Sequence, residues 1–239
     1  MVIKEESVPG ENKKRKTKKG ASYKVSTQIK SSKLVERRRK ELVNASKKLF
    51  FEKGFSKTSI RDIARAGSFT MGNLYDYIQT KEDILYLVHE NMVDNVYQQL
   101  FDIRDYEFSA KHTELESIIR NALEKSMEFQ EDIILLYRES GYLSREKLHS
   151  VLSIESRYID LFKRLLDEAN KEGSYKIRDT KFLADLIVYL VAFPSLRRWS
   201  LRGYKKKEII DLLMHYISPL LRSGERIRKK ERKNSGQMS

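Results

Sequence analysis

The chain has 239 residues, a net charge of +14 and no cysteine. The lack of cysteine excludes disulfides and thiolate zinc sites, and the four histidines stand far apart, so we expect neither a metal nor a cofactor. The longest apolar run, residues 182–193, contains Asp185 and is shorter than the roughly 20 residues needed to span a bilayer. With a charged N-terminus instead of a secretory signal, the expectation is a cytoplasmic protein that contacts no membrane.

Most of the positive charge lies at the two ends. Residues 1–32 carry nine lysines and arginines against three glutamates, and residues 222–239 carry seven against two. Both ends contain few apolar residues, so we expect two disordered basic arms. Such arms add salt-dependent, sequence-independent attraction to phosphates. The alternative is that they only keep the protein soluble.

The sequence predicts an all-α fold. It has three prolines and ten glycines, and no alternating apolar pattern of useful length. The first helix covers about residues 32–53 and ends at Gly54. Ser59 and Asp62 then form a capping box for a short helix that Gly67 stops, and Thr70 caps a second short helix. Two short helices joined by a tight turn form a helix-turn-helix, whose second helix lies in the DNA major groove.

The rest of the pattern is also helical. A fourth helix runs from Lys81 to about Phe101, capped by Thr80 with Asp83, and a loop follows around residues 104–112. Apolar spacing then predicts helices near 115–123, 133–137, 145–171, from 179 or 180 to a kink or end at Pro194, and 205–221. The predicted domains are a helix-turn-helix head at 33–90 and a larger helical domain at 91–221.

The head resembles the DNA-binding domain of TetR-family transcriptional regulators. The matching positions are Leu49, Phe50, Gly54, Phe55, Thr58, Ile63, Ala64, Gly72, Leu74, Tyr75, Lys81 and Glu82. Two positions depart from the family pattern. Ser68 stands in the glycine position of the turn, and Ile78 replaces the usual aromatic residue.

Residues 70–77 form the predicted recognition helix. Asn and Thr side chains can bond base edges, Tyr hydroxyls commonly bond phosphates, and Gly72 lets the backbone approach DNA. The resemblance implies that Tyr75 and Lys81 contact phosphates and that the helix N-terminus near Thr80 points at the backbone, as Thr58 does from the preceding helix. The alternative is ordinary solvent exposure. The predicted DNA-binding residues are Thr58, Thr70, Met71, Gly72, Asn73, Tyr75, Asp76, Tyr77 and Lys81.

The resemblance also implies a homodimer, in which the last two helices of each chain form a four-helix bundle across a two-fold axis. The residues that fit this seam are Leu186, Leu190, Leu212, Leu213, Ile217 and Leu220. The alternative is that they belong to the core of one chain, because helices this apolar are buried in either case.

A pocket for a small-molecule effector is implied in the body of each subunit. Aromatic and basic residues cluster in LLYRESGYLS at 135–144 and YLVAFPSLRRW at 189–199, and the combination looks like TetR-type regulators of fatty-acid degradation that respond to long-chain acyl-CoA. Aromatic side chains would line an apolar tunnel, and arginines would hold an anionic head group. The alternative is core aromatics and arginines that pair with Glu139 or cap a helix. The predicted ligand residues are Tyr137, Arg138, Tyr142, Tyr158, Phe162, Tyr189, Phe193, Arg197, Arg198 and Trp199.

The function predicted from these patterns is a ligand-responsive dimeric transcriptional regulator, a repressor that binds a palindromic operator on double-stranded DNA. The alternative is a constitutive or architectural DNA-binding protein that has no ligand. An enzyme is not expected, because the sequence has no glycine-rich phosphate loop, nucleophile elbow or metal-ligand spacing.

Overall fold

The structure, a computed structural model, describes residues 23–101, 112–173 and 175–222. These residues form nine α-helices and one short 3-10 helix and contain no strand, which confirms the all-α class. The helices are α1 (Ser32–Lys53), α2 (Ile60–Ala66), α3 (Met71–Tyr75), α4 (Lys81–Phe101), α5 (His112–Ser126), α6 (Gln130–Glu139), α7 (Arg145–Lys171), α8 (Thr180–Leu196) and α9 (Lys206–Arg222), with the 3-10 helix at Ser140–Tyr142.

The helices lie where the pattern predicts them, although several ends differ by one to three residues. The recognition helix α3 ends at Tyr75 rather than near residue 77, and α9 begins and ends one residue later than predicted. Pro194 lies inside α8, which continues to Leu196. Pro194 lacks an N–H, but a donor after it still bonds, since the N–H of Arg197 reaches the Phe193 carbonyl at 2.9 Å. The predicted loop near residue 104 lies outside the described residues, as do residues 1–22 and 223–239.

Helix α4 joins the N-terminal head to the body. It packs against α1 in the head and against α5, α6 and α7 in the body, while α8 packs against α5, α6, α7 and α9. One set of buried apolar side chains runs through both parts, from Phe50 and Leu74 in the head to Phe162 and Leu166 in the body. A domain boundary near residue 90 therefore falls inside a continuous helix and stays a prediction.

Residues 23–31 contradict the prediction of a disordered arm over residues 1–32. They run extended along the head, Val25 is buried, and Ser31 caps α1 by accepting a hydrogen bond from the N–H of Leu34. Tyr23 bonds to α4 and α7 through both its backbone and its side chain. In the described part of the chain, no helix is long and apolar enough to cross a membrane.

Candidate nucleic-acid interface and effector chamber

The turn between α2 and α3 depends on the pair Gly67–Ser68. Ser59 and Asp62 form the predicted capping box at the start of α2. Gly67 ends α2 as predicted, but its φ is −94°, and the left-handed φ of the turn, 55°, belongs to Ser68. Gly67 is needed for space instead, since a Cβ there would lie 2.9 Å from the Phe69 ring. The serine in the glycine position thus carries the strain of the turn.

Helix α3 presents a short polar face to solvent. The Thr70 hydroxyl caps it by accepting from the N–H of Asn73 at 3.2 Å, and Leu74 anchors it in the core. Met71 and Tyr75 are 38% and 47% exposed, and Thr70 and Gly72 are exposed beside them. Nothing lies within 4 Å of the Cβ position of Gly72, so another backbone can approach there. This face has the size and polarity to enter a DNA groove.

Two predicted DNA contacts are wrong because their side chains are buried. Tyr77 is 3% exposed and packs edge-on against Phe69. Thr58 is 1% exposed, and its hydroxyl donates to the Gly54 carbonyl at 2.8 Å. The Lys81 ammonium forms hydrogen bonds within the head, since it donates to the carbonyls of Phe55 and Thr58 at 2.9 and 3.0 Å. Its phosphate contact stays a prediction, now with two of its three hydrogens already used.

Two arginines of α1 that the sequence analysis did not select brace the recognition helix. Arg38 donates to the Asn73 side-chain oxygen at 3.2 Å and lies 4.0 Å from the centroid of the Phe69 ring. Arg39 donates to the Tyr77 carbonyl at 2.9 Å. Asn73 and Asp76, both predicted to bind DNA, are half-buried, and the bond from Arg38 orients Asn73 in the free protein. The signal in the sequence was the basic run at residues 37–40, which reads equally well as a solvated face.

The C-terminal end of α6 holds the head from the other side. The Arg138 guanidinium donates to the carbonyls of Phe50 and Phe51 at 2.8 and 3.1 Å and pairs with the buried Glu139 at 2.6 Å. Glu139 also accepts the N–H of Phe55 at 3.2 Å. Arg138 therefore caps the C-terminus of α1, where a cation is favoured, and its contact with a ligand anion stays a prediction.

The other predicted ligand residues do not line one tunnel. Phe162 is fully buried in the core, and Tyr142 packs against Phe55 of the head, with ring centroids 5.3 Å apart. Tyr158 stacks on Tyr97 and donates to Asp94. Five others lie at or beyond the C-terminal half of α8: Tyr189, Arg197, Arg198 and Trp199 are exposed, and Phe193 is half-buried.

A small apolar chamber lies between α4, α6 and α8. Its accessible volume is about 20 Å³, room for about one water molecule, and its lining residues are Val96, Tyr97, Ile133, Leu136, Tyr137, Val188, Val191 and Ala192. Of the predicted ligand residues, Tyr137 lines it. The Tyr97 hydroxyl at its edge donates to Glu155 at 2.5 Å. Burial, with the nearby Glu155 and Tyr189, raises the pKa of Tyr137 to about 12, so this phenol is a neutral hydrogen-bond donor at pH 7.

Helices α8 and α9 leave apolar side chains uncovered. Leu212, Tyr216 and Leu220 are 41%, 67% and 38% exposed and recur every four residues on one face of α9. Phe182 and Tyr189 of α8 are 67% and 51% exposed, with Leu186, Leu190 and Phe193 half-buried nearby. Two of the predicted dimer residues, Leu213 and Ile217, lie in the core of the chain itself because they point inward from α9. That part of the seam prediction is wrong.

A capped, exposed short helix after a tight turn, mounted on an all-helical body, defines a helix-turn-helix DNA-binding protein. The family described as "Bacterial regulatory proteins, tetR family" matches residues 42–86, and "Tetracyclin repressor-like, C-terminal domain" matches residues 110–199. The chain belongs to the TetR family and is a transcriptional regulator rather than an enzyme.

Relatives agree with this assignment. The HTH-type transcriptional regulator HbdR of Aromatoleum sp. (strain CIB) is 38% identical over 76 residues, which span 32% of this chain and only 33% of HbdR. A tetR-family regulatory protein from Rhodococcus RHA1 superimposes with a TM-score of 0.67 at 19% identity, covering 78% of this chain and 97% of that one. AibR in complex with isovaleryl coenzyme A and operator DNA gives 0.57 at 19% identity, over 74% and 96%. At these identities the two structures establish the shared fold.

Proposed function

We propose that this chain is a dimeric repressor whose two recognition helices read a palindromic operator and which an effector bound in the body releases from DNA. The observation that carries the proposal is the pairing of an exposed recognition face on α3 with uncovered apolar faces on α8 and α9. A recognition helix of five residues covers few base pairs, so specific binding requires two of them.

A second copy of the chain is the proposed cover for α8 and α9. The exposed residues lie on adjacent helices that already pack against each other, so two copies can form a four-helix bundle. Contiguous apolar surface of this kind is uncommon on monomers. Within such a dimer, recognition helices 34–36 Å apart would read successive major grooves of a palindrome.

The chamber between α4, α6 and α8 is the proposed effector site. It is apolar with phenol groups at its edge, and it contacts the two helices that hold the head. The His89 ring spans α4 and α6, with its Nδ1 3.0 Å from the Leu85 carbonyl and its Nε2 3.3 Å from the Leu136 carbonyl. Helix α6 ends in Arg138 and Glu139, which hold the end of α1. An effector that widens the chamber would therefore displace α6 and, through it, the head.

A long-chain acyl-CoA is the proposed effector class. The chamber is lined on α8 by Val188, Val191 and Ala192. The exposed Arg197 and Arg198 follow Ala192 by five and six residues, which places Arg197 about 7.5 Å further along the helix axis. An acyl chain in the chamber would thus place anionic phosphates near two guanidinium groups. AibR, which shares the fold, has been crystallised with isovaleryl coenzyme A and operator DNA. The chamber must open considerably to admit such a ligand.

Selection of bound sequences from a random DNA pool, with and without palmitoyl-CoA, tests the proposal. An enriched palindrome that is lost on adding palmitoyl-CoA supports both the repressor and its effector class. A palindrome whose enrichment is unaffected by palmitoyl-CoA, free palmitate or CoA supports the sequence-specific repressor and refutes the proposed effector class. The alternative function, architectural DNA binding through the basic ends, predicts no enriched sequence and a steep salt dependence.

A further inference from the structure

Residues 23–29 form an extended segment, here called the N-terminal strap, that precedes the helix-turn-helix. It begins against the body helix α7, crosses the first turns of α4 and reaches the end of the recognition helix α3. The part of the chain that matches the family begins only at residue 42. The strap lies before this matched part of the chain and connects the body to the recognition helix.

Tyr23 fixes the body end of the strap. Its backbone N–H donates to the Ser150 hydroxyl of α7 at 2.9 Å, and its carbonyl accepts from the Tyr86 hydroxyl of α4 at 3.0 Å. Its own hydroxyl donates to Asp83 at 3.2 Å, and its ring meets the Tyr86 ring edge-on with centroids 5.1 Å apart. Lys147 of α7 lies 5.2 Å from the Tyr23 ring centroid. Backbone and side chain are both held, so this end is well anchored.

The other end of the strap bonds the carbonyl of the residue that ends α3. The Thr27 hydroxyl donates to the carbonyl of Asp76, the C-cap residue of α3, at 2.7 Å. Arg39 donates to the Tyr77 carbonyl at 2.9 Å and to the Val25 carbonyl at 2.8 Å, so one guanidinium joins the strap to the end of the recognition helix. A short helix depends on such partners because its last carbonyls have none within the helix.

The structure assigns the strap a positioning role: we propose that residues 23–29 fix the angle of the recognition helix by linking its C-terminal end to α7. Helix α7 also carries Glu155, which bonds Tyr97 at the edge of the chamber, one and a half turns beyond Ser150. The strap thus provides a further path from the chamber to the recognition helix, beside those through α4 and α6. Insofar as it concerns DNA affinity, this inference rests on the proposed function.

A double-mutant cycle in the full-length chain tests the link. Thr27→Val removes the bond to α3 with little change in shape. Tyr23→Ala removes the side-chain part of the body anchor, its contacts with Asp83 and Tyr86 of α4 and Lys147 of α7, and leaves the backbone bond to Ser150. Each should lower affinity for the selected operator about 3- to 10-fold, as loss of one or a few hydrogen bonds does. Two residues four apart in an extended chain are about 13 Å apart, so independent effects would multiply. If the strap works as one link, the double variant should lose no more operator affinity than the single variant that binds the operator less tightly.

Controls separate positioning from charge and from folding. Thr27→Ser keeps the hydroxyl and should restore affinity, and the exposed Gln28→Ala should change nothing. Arg39→Lys keeps the charge but cannot span the same carbonyls, so it should lower operator affinity and leave the salt slope and the affinity for unrelated DNA unchanged. Variants that lower only the melting temperature, or losses that multiply in the double variant, would overturn the proposal.

A measurement without DNA keeps the strap testable if no operator emerges. Amide exchange of residues 76–78 in the free protein should speed up in Thr27→Val and not in Thr27→Ser. An unchanged exchange rate of these amides in Thr27→Val would overturn the positioning role of the strap. A wild-type protein that enriches no sequence refutes the proposed function instead, so the two failures are distinguishable.

Discussion

Removing the ammonium of Lys147 should destabilise the protein more than removing both members of its ion pair. Lys147 Nζ lies 2.8 Å from Asp83 Oδ1 and 3.4 Å from Glu82 Oε2, and the side chains of Lys147 and Asp83 are 8% and 3% exposed. Lys147→Met leaves a buried carboxylate with its hydrogen bonds but without its nearest cation. Breaking a buried pair in this way costs roughly 3–5 kcal/mol, and the retained hydrogen bonds favour the lower end, about 3 kcal/mol.

Urea unfolding at pH 7 measures this effect, using Lys147→Met, Asp83→Asn and the double variant. The double variant removes both charges, so its free energy of unfolding should exceed that of Lys147→Met although it carries one more substitution. A free energy of unfolding for Lys147→Met within about 0.5 kcal/mol of wild type, the range of an ordinary surface substitution, would contradict this prediction. A double variant less stable than Lys147→Met would refute it equally.

The pH dependence of the same difference follows from the two pKa values. Burial alone raises the pKa of Asp83, but hydrogen bonds from Lys147 and from the N–H groups of Thr80 and Gln79 outweigh it and leave it below 3.8. Burial lowers the pKa of Lys147, yet its bond to Asp83 and that charge hold it above 10.5. The Asp83 contribution is present above pH 3.8 and is lost as pH falls through the lower folded pKa. The Lys147 contribution is present below pH 10.5 and is lost as pH rises through the higher folded pKa. The difference in free energy of unfolding between wild type and Lys147→Met should therefore not change from about pH 5 to 9.

Three further predictions concern the turn, the α6 cap and the dimer. Ser68→Gly should raise the free energy of unfolding by about 0.5–1 kcal/mol because glycine relieves the left-handed φ. Gly67→Ala should lower it by about 1–3 kcal/mol through contact with Phe69. A lower melting temperature for Ser68→Gly than for Gly67→Ala would contradict this. Arg138→Gln should cost about 2–4 kcal/mol in urea unfolding, because Glu139 loses its counter-ion in a buried site; no loss would show that the cap is dispensable. Tyr216→Glu should convert the dimer to monomer in sedimentation equilibrium without lowering helix content, whereas an unchanged mass would place the interface elsewhere.

The head could be predicted from sequence because its signals are local. Ser59 with Asp62, Thr70 and Thr80 each mark a helix start within four residues, and Gly54 marks an end, so the helices followed from neighbours in the chain. Fixed spacing then carried the family resemblance. Exposure was not local: whether Tyr77 faces DNA or the core depends on where Phe69 packs, which no neighbour in sequence decides.

The body was less predictable because arginines and aromatics have several roles. Arg138 next to Glu139 suits an anion site and a helix cap equally well, and only the approach of α1 decides between them. The strap did leave a signal that was not used. Tyr23, Val25, Thr27 and Ile29 alternate with polar residues, the period of an extended segment with one packed face, inside a stretch whose charge suggested disorder.

The proposed function requires two recognition helices that one dimer presents to one face of DNA. The most direct test measures binding of the full-length protein to the selected palindrome and to the same DNA with five base pairs inserted between the half-sites. Half a helical turn moves the second major groove to the opposite face, so affinity should fall to that of a single half-site or unrelated DNA. Equal affinity for both DNAs would contradict it.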